Sequence, residues 1–523
     1  MSTLKIIWRS VIVFLLVAYL VFGLQTPAIA QIAQIAQIAQ LSNPPNAADG
    51  SIKPYLDRVK SKVTEFKLEN GMKFIVLERH QAPVVSFFTY ADVGGVDEPE
   101  GQTGVAHYLE HLAFKGTSKI GTTNWPAEKV LLDKLDQLDE QIREAVATGK
   151  DPQPLRAEFA KTEAEANQYV KSNEFGQIVN QAGGVGLNAA TGIDYTLYFY
   201  SLPANKLELW FSLESERFLD PVFREFYKEK EVILEEKRSR NDNSPMGKLF
   251  DAFQNTAFSV HPYKRPVIGY EADLRNLTRK NVQDFFTTHY VPSKLTMGVV
   301  GDVDPQQVKQ LAESYFGRYT AKPKPANVKI VEPTQAAPRD FALELETQPV
   351  YVEGYHRPAI DHPDNAVYEV ITKLMSDGRR SRLYSQLVEQ QQIALSAGGF
   401  NGYPGDKFPH LLVFSALPAP GVTLEQLAVG LRAEITKIQQ EPVTPEELER
   451  IKKQFKVEIL AALGSNRGMA SALVETDVKL GSWRKLFEAI DQVNAVTAAD
   501  IQRVAKATFT EANRTVGKLR TKN

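Results

Sequence analysis

TGVAHYLEHLAFK, residues 103–115, decides how the remainder of this chain is interpreted. Its apolar residues recur at helical spacing: Val105, Leu109 and Leu112. His107 and His111 are four residues apart, so both imidazoles leave one face of the predicted helix about one turn apart. Two histidines at this spacing suit zinc, and Glu110 lies where a carboxylate can accept a proton from the attacking water. The alternative is a helix with two surface histidines and a capping or salt-bridging glutamate.

A catalytic zinc needs a third protein ligand, and an acidic helix further along the chain offers one. Residues 229–236 read EKEVILEE, with an apolar Val-Ile-Leu centre. Glu229 and Glu236 are seven residues apart, hence on one face of that helix. One can coordinate the metal while the other supports a histidine ligand. The alternative is that both are ordinary solvated glutamates, because acidic helices are common.

The composition narrows the class of protein. A chain of 523 residues is too long for one ordinary core, so two or more domains are expected. The sequence has no cysteine, which excludes disulfides, thiolate metal ligands and cysteine nucleophiles. Its 61 Lys and Arg nearly balance 63 Asp and Glu, so the charge gives no case for a nucleic-acid partner.

The N-terminal sequence predicts export. Two basic residues precede an apolar run over residues 11–24, and an Ala-x-Ala site ends at Ala30. These parts together are typical of a secretory signal peptide, residues 1–30; an uncleaved anchor is the alternative, although the run is short for a membrane span. Residues 31–58, with three copies of Gln-Ile-Ala, are typical of a low-complexity tether. We expect a periplasmic or otherwise extracytoplasmic protein that contacts a membrane only through an uncleaved N-terminus.

A repeat divides the chain into two halves. Leu277-Thr278 with Val282-Gln283 recurs as Val496-Thr497 with Ile501-Gln502, at a constant offset of 219 residues (282 to 501). Each copy predicts a Thr-capped amphipathic helix that leads into an apolar strand; coincidence between two ordinary helix–strand units is the alternative. We predict an α+β fold of two homologous α/β domains, each a sheet backed by helices, related by internal duplication.

The predicted boundaries follow from the repeat and from a Lys/Pro-rich stretch between its copies. Residues 59–319 form the N-terminal zinc-bearing domain, residues 320–340 the linker, and residues 341–523 a homologous, metal-free C-terminal domain. Within the first domain, glycines near residue 184 allow a turn, and residues 195–200 alternate as a strand does. This stretch is interpreted either as a segment that binds a ligand or as an ordinary Gly-rich turn before a core strand.

Taken together, these motifs resemble the pitrilysin-type (inverzincin, M16) zinc metallopeptidases, in the two-domain branch that contains processing-peptidase subunits. The resemblance runs from about residue 63 to the C-terminus. The residues that carry it are His107-x-x-Glu110-His111, Leu112-x-Phe114-x-Gly116-Thr117, Gly186-Leu187-Asn188-Ala189-x-Thr191 and Glu229-x6-Glu236. The resemblance implies that His107, His111 and Glu236 bind one zinc ion per chain and that Glu110 is the general base.

The resemblance also implies two supporting roles. Glu229 is the second acidic residue of the catalytic site. Asn188 and Ala189 lie on an edge strand that pairs with the backbone of a peptide substrate, a mode of binding that makes little demand on side chains.

The chain departs from the family pattern in two places. The span from His111 to Glu236 is long, and its extra length, residues 126–173, has the periodicity of a helical hairpin; a solvated cover, a lid or a partner-docking surface are its possible roles. Val388 and Leu395 stand where relatives place an Arg and a Tyr that stabilise the oxyanion. Arg382 and Tyr384 lie nearby in the sequence, but their spacing differs from that of the family pair.

The missing Arg and Tyr suggest a partner: a related metal-free subunit in a heterodimer, with a homodimer as the alternative. The predicted function is that of an exported zinc endopeptidase acting on extended oligopeptides or unfolded segments. The alternative is a non-catalytic assembly or binding subunit of the same fold. Such a subunit is expected to have lost part of its metal set, whereas His107, Glu110, His111 and Glu236 are all present. Processing and degradation both remain open as its task.

Overall fold

A computed structural model describes residues 53–522. The predicted signal peptide lies outside this range, as does most of the predicted tether. The last tether residues, 53–58, are a correction to that prediction, because they form the start of a helix, Lys53–Ser61. Between residues 53 and 522 no helix is long and apolar enough to cross a membrane.

The first half of the described chain forms six strands and the helices that cover them. The strands are β1 (Val63–Lys67), β2 (Lys73–Glu78), β3 (Val84–Ala91), β4 (Val185–Thr191), β5 (Thr196–Pro203) and β6 (Leu295–Gly301). The α-helices are α1 (Lys53–Ser61), α2 (Val105–Leu112), α3 (Trp125–Ala147), α4 (Gln153–Asn167), α5 (Glu174–Gln181), α6 (Leu207–Leu219), α7 (Phe226–Lys237), α8 (Pro245–Ala257), α9 (Glu271–Asn276), α10 (Arg279–His289) and α11 (Pro305–Phe316).

The second half forms a second sheet with its own helices. The strands are β7 (Arg339–Leu345), β8 (Val350–Arg357), β9 (Ala394–Tyr403), β10 (His410–Pro418) and β11 (Arg514–Thr521). The α-helices are α12 (Asn365–Ser376), α13 (Leu424–Gln440), α14 (Pro445–Ala462), α15 (Asn466–Leu480), α16 (Lys485–Ala495) and α17 (Ala498–Thr508). Strand β7 begins at Arg339, so residues 339–340 belong to this sheet and not to the predicted linker.

The two sheets have the same topology. Their strand orders are β1-β2-β6-β3-β5-β4 and β7-β11-β8-β10-β9, which match once β1 is set aside. The single parallel pair of each sheet, β2 with β6 and β7 with β11, occupies the same place, and the other pairs are antiparallel. The predicted α+β fold of two related sheet-and-helix units is therefore confirmed.

The repeat detected in the sequence corresponds to a helix and the strand that follows it. Thr278 is the N-cap of α10 and Thr497 is the N-cap of α17, and each hydroxyl accepts a hydrogen bond from the third residue of its helix. An aromatic residue follows each helix, Tyr290 after α10 and Phe509 after α17, and strands β6 and β11 then begin at equivalent positions. The 219-residue offset is therefore a structural equivalence as well as a sequence pattern.

Each half of the chain covers the outer sheet face of the other half. Helix α8 packs on β7 and β11, and helix α15 packs on β3 and β6. Strand alternation makes this possible: Ile75 and Leu77 face α15, whereas Phe74 and Val76 face the core on the opposite side of the sheet. Neither sheet therefore buries both of its faces without the other half.

Gly298 allows α15 to approach β6 closely. A Cβ at this position would lie 2.7 Å from Val474 Cγ2 and 3.2 Å from the Ala470 carbonyl oxygen. Gly298→Ala is therefore expected to destabilise this contact by about 1–3 kcal/mol, the usual cost of overpacking. Urea unfolding would measure the change, with Gly398→Ala as the control, because the nearest atom to a Cβ there is 3.8 Å away. Equal unfolding midpoints for the two variants would contradict the prediction.

The structure forms a helical hairpin, α3 and α4, in the region that was predicted as an insert. Its inner side packs against α7 and the residues that precede it, through Leu132, Leu135, Ala166 and Val222. Buried Arg224 fastens the hairpin to the loop after α2: its Nε lies 2.8 Å from Glu128 Oε1, and its Nη2 donates to the Thr117 carbonyl oxygen at 2.7 Å. The hairpin thus supports the two helices that carry the predicted ligands.

Candidate metal centre

Helix α2 begins at a site that only glycine accommodates easily. Gly104 has a φ of 88°, and a Cβ there would lie 2.6 Å from the Ile268 carbonyl oxygen. The buried carboxylate of Glu98 accepts hydrogen bonds from the Gly104 and Ala106 amides at 3.0 and 2.9 Å. These bonds satisfy free amides at the N-terminus of the helix. Burial raises the pKa of Glu98 to about 8, against the effect of the two amides.

Three predicted ligands converge between α2 and α7. His107 Nε2 lies 3.8 Å from Glu236 Oε1, and His111 Nε2 lies 3.4 Å from Glu236 Oε2. Four ligands placed tetrahedrally around a zinc ion are separated by about 3.3 Å. One nitrogen of each imidazole and a carboxylate oxygen of Glu236 all lie within 4.8 Å of one another, so this group fits a zinc ion.

Glu229 orients one of these ligands. Its Oε1 lies 3.1 Å from His111 Nδ1, and its Oε2 lies 2.6 Å from Lys115 Nζ. Burial opposes the charge of Glu229, but His111 and Lys115 outweigh it and lower the pKa of Glu229 to about 2. With its Nδ1 directed to this carboxylate, His111 presents Nε2 to the metal position. Glu229 is buried, which excludes the solvated alternative.

The two metal-facing histidines differ in their surroundings. Burial lowers the pKa of His107 to about 4, which keeps its imidazole neutral, and its Nδ1 has no hydrogen-bond partner among residues 53–522. Burial also disfavours charge on His111, but the carboxylates of Glu229 and Glu236 outweigh it and raise the pKa of His111 to about 9. A divalent cation between the rings would take the place of that proton.

An aromatic contact holds α2 against α7. The rings of Tyr108 and Phe226 stack with centroids 4.7 Å apart, and the Tyr108 hydroxyl donates to the Phe226 carbonyl oxygen. Tyr108 lies between the two histidines in the sequence and is buried in the core of the first half. The contact therefore sets the distance between the histidines on α2 and the glutamates on α7.

Glu110 links the metal group to the free edge of the first sheet. Its Oε2 accepts a hydrogen bond from Thr191 Oγ1 at 2.6 Å, and Thr191 is the last residue of β4. Burial raises the pKa of Glu110, against the effect of that hydrogen bond. Strand β4 is the last strand of its sheet, so one of its edges is unpaired, and on it Asn188 is exposed and Ala189 half-buried.

Three contacts of the site are not apparent from the sequence. Thr191 lies in the Gly186–Thr191 motif, and nothing local predicts its contact with Glu110. Lys115 follows His111 by four residues, a spacing that could have indicated its place beside Glu229. Arg240 Nη1 lies 2.6 Å from Glu236 Oε1 because α7 continues into a π-helical turn, Arg238–Asp242.

The second half offers no obvious oxyanion donor at the aligned positions. Val388 packs against the second core, and Leu395 is an exposed aliphatic residue of β9. Arg382 is held by Glu447, with two N–O distances of 3.0 Å. Arg382 thus belongs to a structural ion pair, which agrees with the difference between the Arg382–Tyr384 spacing and that of the family pair.

Comparison with known families identifies the chain. A model described as the insulinase family of M16 peptidases matches residues 73–129 and 164–271, and a model described as the M16 inactive domain matches residues 276–455. This chain belongs to peptidase family M16. The first match breaks within the α3–α4 hairpin. The matching "inactive" model covers much of the half in which no metal ligands were predicted.

The similarity of this M16 protein to its relatives extends over most of its length. Zinc protease PqqE of Helicobacter pylori is 28% identical over 465 residues, 86% of this chain and 90% of the relative. The uncharacterized zinc protease YmxG of Bacillus subtilis is 20% identical over 454 residues, 86% of this chain and 96% of the relative. A crystal structure of a protease from Helicobacter pylori has a TM-score of 0.74 at 27% identity, with 88% of this chain and 99% of that chain covered.

The fold also occurs in a larger protein. The periplasmic protease PqqL of Escherichia coli has a TM-score of 0.66 at 17% identity, over 88% of this chain and 47% of that chain. Zinc is the metal named for the curated relatives, and two histidines with one carboxylate are ligands that zinc prefers.

Proposed function

We propose that this M16 protein is an exported, zinc-dependent endopeptidase that hydrolyses extended oligopeptides or unfolded segments. One observation carries the proposal: His107, His111 and Glu236 converge on one point, and the adjacent Glu110 is hydrogen-bonded to the free edge of β4. A ligand group, a base and a surface for an extended peptide thus lie together. Export rests on the N-terminal sequence, a basic and apolar segment that ends in Ala-x-Ala.

The side chains divide the chemistry of hydrolysis. His107, His111 and Glu236 would hold a zinc ion, which would supply Lewis-acid chemistry for the scissile carbonyl and the attacking water. Glu110 accepts a proton from the attacking water and passes it to the leaving amine, and its raised pKa suits both steps. Glu229 keeps His111 in position throughout, because its carboxylate holds the ring nitrogen that faces away from the metal.

The edge of β4 determines the kind of substrate. An unpaired edge presents backbone amides and carbonyls to which an extended peptide can add as a further strand. Asn188 and Ala189 lie on this edge a few residues before Thr191, so a peptide paired with them would pass Glu110. Backbone pairing requires an extended segment and places little demand on its side chains.

At the two positions that align with the Arg and Tyr of relatives, this chain has no side chain that can donate a hydrogen bond to the oxyanion. Val388 and Leu395 cannot donate hydrogen bonds from their side chains, and Arg382 is engaged by Glu447. We therefore include a partner in the proposal: a homologous metal-free subunit that contributes an Arg and a Tyr, with a homodimer as the alternative.

Cleavage of a mixture of unstructured peptides by purified residues 31–523 tests the proposal. We expect cleavage that stops when a chelator removes zinc and returns when zinc is restored. The reason is that His107 and His111 contribute to hydrolysis only by holding the metal that activates the water and the scissile carbonyl. Bound zinc without cleavage by the isolated chain would favour the missing subunit. Absence of both zinc and cleavage would contradict the enzyme and favour an assembly subunit. Full activity in a stable monomer, measured by light scattering, would contradict the partner.

A further inference from the structure

A cavity of about 360 Å³ lies in the metal-free half, between α12 and the edge strand β9. This volume falls in the range of small-ligand sites, about 300–1,000 Å³. Polar and charged residues of both signs line much of it, among them Asn365, Glu369, Lys373, Asn401, Asp406 and His410.

The cavity occupies the place that is equivalent to the metal centre. Helix α12 follows β8 and packs on β9, as α2 follows β3 and packs on β4. Because the two sheets share one topology, β9 is an edge strand like β4. The half without metal ligands therefore keeps a lined cavity where the other half has its reaction centre.

His410 lines this cavity and carries an unsatisfied acceptor. The residue is 1% exposed, and its Nδ1 lies 2.9 Å from the Phe408 carbonyl oxygen. A carbonyl only accepts, so Nδ1 carries the proton, and burial lowers the pKa of His410 to about 4 and keeps the ring neutral. Nε2 is then a lone-pair acceptor, and it has no partner within the described chain.

Asn401 and Glu369 present further acceptors. Asn401 Nδ2 donates to Glu369 Oε1 at 3.0 Å, which turns Asn401 Oδ1 away from that carboxylate and leaves it without a partner among residues 53–522. Glu369 forms no ion pair in the same range: Lys373 pairs with Glu458 at 2.5 Å and Asp377 at 3.7 Å. Burial raises the pKa of Glu369, so a cation nearby would favour its ionised form.

Arg357, the other charged neighbour of Glu369, is engaged in part, because its Nη1 has no hydrogen-bond partner among residues 53–522. Arg357 donates to the Pro358 carbonyl oxygen at 2.9 Å and to Asn365 Oδ1 at 2.8 Å, and its guanidinium lies over the Tyr368 ring. Two acceptor atoms, His410 Nε2 and Asn401 Oδ1, thus have no donor within the described chain, and the Glu369 carboxylate has the Asn401 amide as its donor and no cationic partner. Buried acceptors in this state favour a ligand that only donates.

We propose that the cavity binds the guanidinium or ammonium group of a basic peptide side chain, with Glu369, Asn401 and His410 as its acceptors. Both groups carry only donors, and the planar guanidinium has five of them to serve several acceptors at once. The site does not use the metal centre, so it goes beyond the proposed peptidase and stands or falls separately.

Calorimetric titration of the full chain with three probes tests the site. The probes are N-acetyl-arginine N-methylamide, its lysine counterpart, and the citrulline counterpart, which keeps the shape of arginine without the charge. We expect the arginine or lysine probe to bind at least about tenfold more tightly than the citrulline probe, because charge-assisted hydrogen bonds contribute more than neutral ones. Equal affinity for all three probes would overturn the proposal.

Variants place the binding in this cavity. Glu369→Gln and, separately, Asn401→Ala are expected to weaken binding of the cationic probe at least about tenfold and threefold respectively, with unchanged circular dichroism showing that each variant folds. Glu236→Gln, in the metal centre, is expected to leave the affinity unchanged. Binding that survives Glu369→Gln and Asn401→Ala, or that disappears with Glu236→Gln, would overturn the assignment.

Discussion

Glu110→Gln is expected to lower kcat for peptide hydrolysis about a thousandfold, within the range of about 10²–10⁴ that a general base contributes. Glutamine keeps the size of the side chain and an oxygen that can accept from Thr191, but its amide cannot take up a proton at neutral pH. The bound zinc should stay at one ion per chain because Glu110 is outside the ligand group. Fluorogenic-peptide kinetics and metal analysis of the same sample measure both quantities.

A second variant makes the result graded. Thr191→Val retains the carboxylate and removes only the hydroxyl that orients it, so a loss of about tenfold is expected, with zinc unchanged. If Glu110→Gln keeps the activity of the unmodified chain, a different group activates the water and the assignment of Glu110 is wrong. If Thr191→Val alone abolishes activity, the hydroxyl has a direct role that positioning does not explain.

The ligand group was predictable because its geometry is local. Helical periodicity places His107 and His111 on one face of their helix, and Glu229 and Glu236 on one face of theirs, whatever the rest of the chain does. That the two pairs meet is a tertiary fact, and the sequence indicated it only through the family resemblance. The structure supplies the physical cause, since Tyr108 stacks on Phe226 and aligns the two helices.

The exchange of helices between the halves was not predictable from the pattern of either helix. α8 and α15 have apolar faces like those of any amphipathic helix, and such a face does not specify which sheet it covers. The close approach at Gly298, which determines where α15 packs, appears in the sequence only as a glycine inside an apolar strand. The domain boundaries stay predictions, because each half of the chain contributes a helix that covers the sheet of the other half.

The duplication explains why the second half keeps a polar cavity. Two units of one topology place a helix against an edge strand twice, and the chain uses these two places differently. In the first place, His107 and His111 on α2 face Glu236 on α7. In the second, Glu369 on α12 faces Asn401 on β9, and no group of ligands suited to a metal occurs there among residues 53–522. Helices α2 and α12 occupy equivalent positions, so the residues that each helix carries determine which place is the metal centre and which is the cavity.

Glu236→Gln is expected to remove zinc from the purified protein and to reduce hydrolysis to the background of the chelated enzyme. Two imidazoles alone hold zinc far more weakly than three ligands, and a neutral amide oxygen replaces an anionic ligand. The adjacent Glu235 provides the control, because it is exposed and points away from the site, paired with Arg238. Glu235→Gln should retain one zinc per chain and the activity of the unmodified enzyme.

Glu229→Gln separates ligation from support within the same helix. Loss of a group that orients a metal-bound histidine typically weakens metal affinity about 10–100-fold, so this variant should bind zinc at saturating concentration and lose it on dialysis. Mass spectrometry under native conditions would report zinc occupancy for all three variants. Full occupancy in Glu236→Gln would show that a different side chain completes the site. Because Glu236 and Glu229 lie on one face of α7 and contact different nitrogens of His111, a graded series is the expected consequence of their geometry.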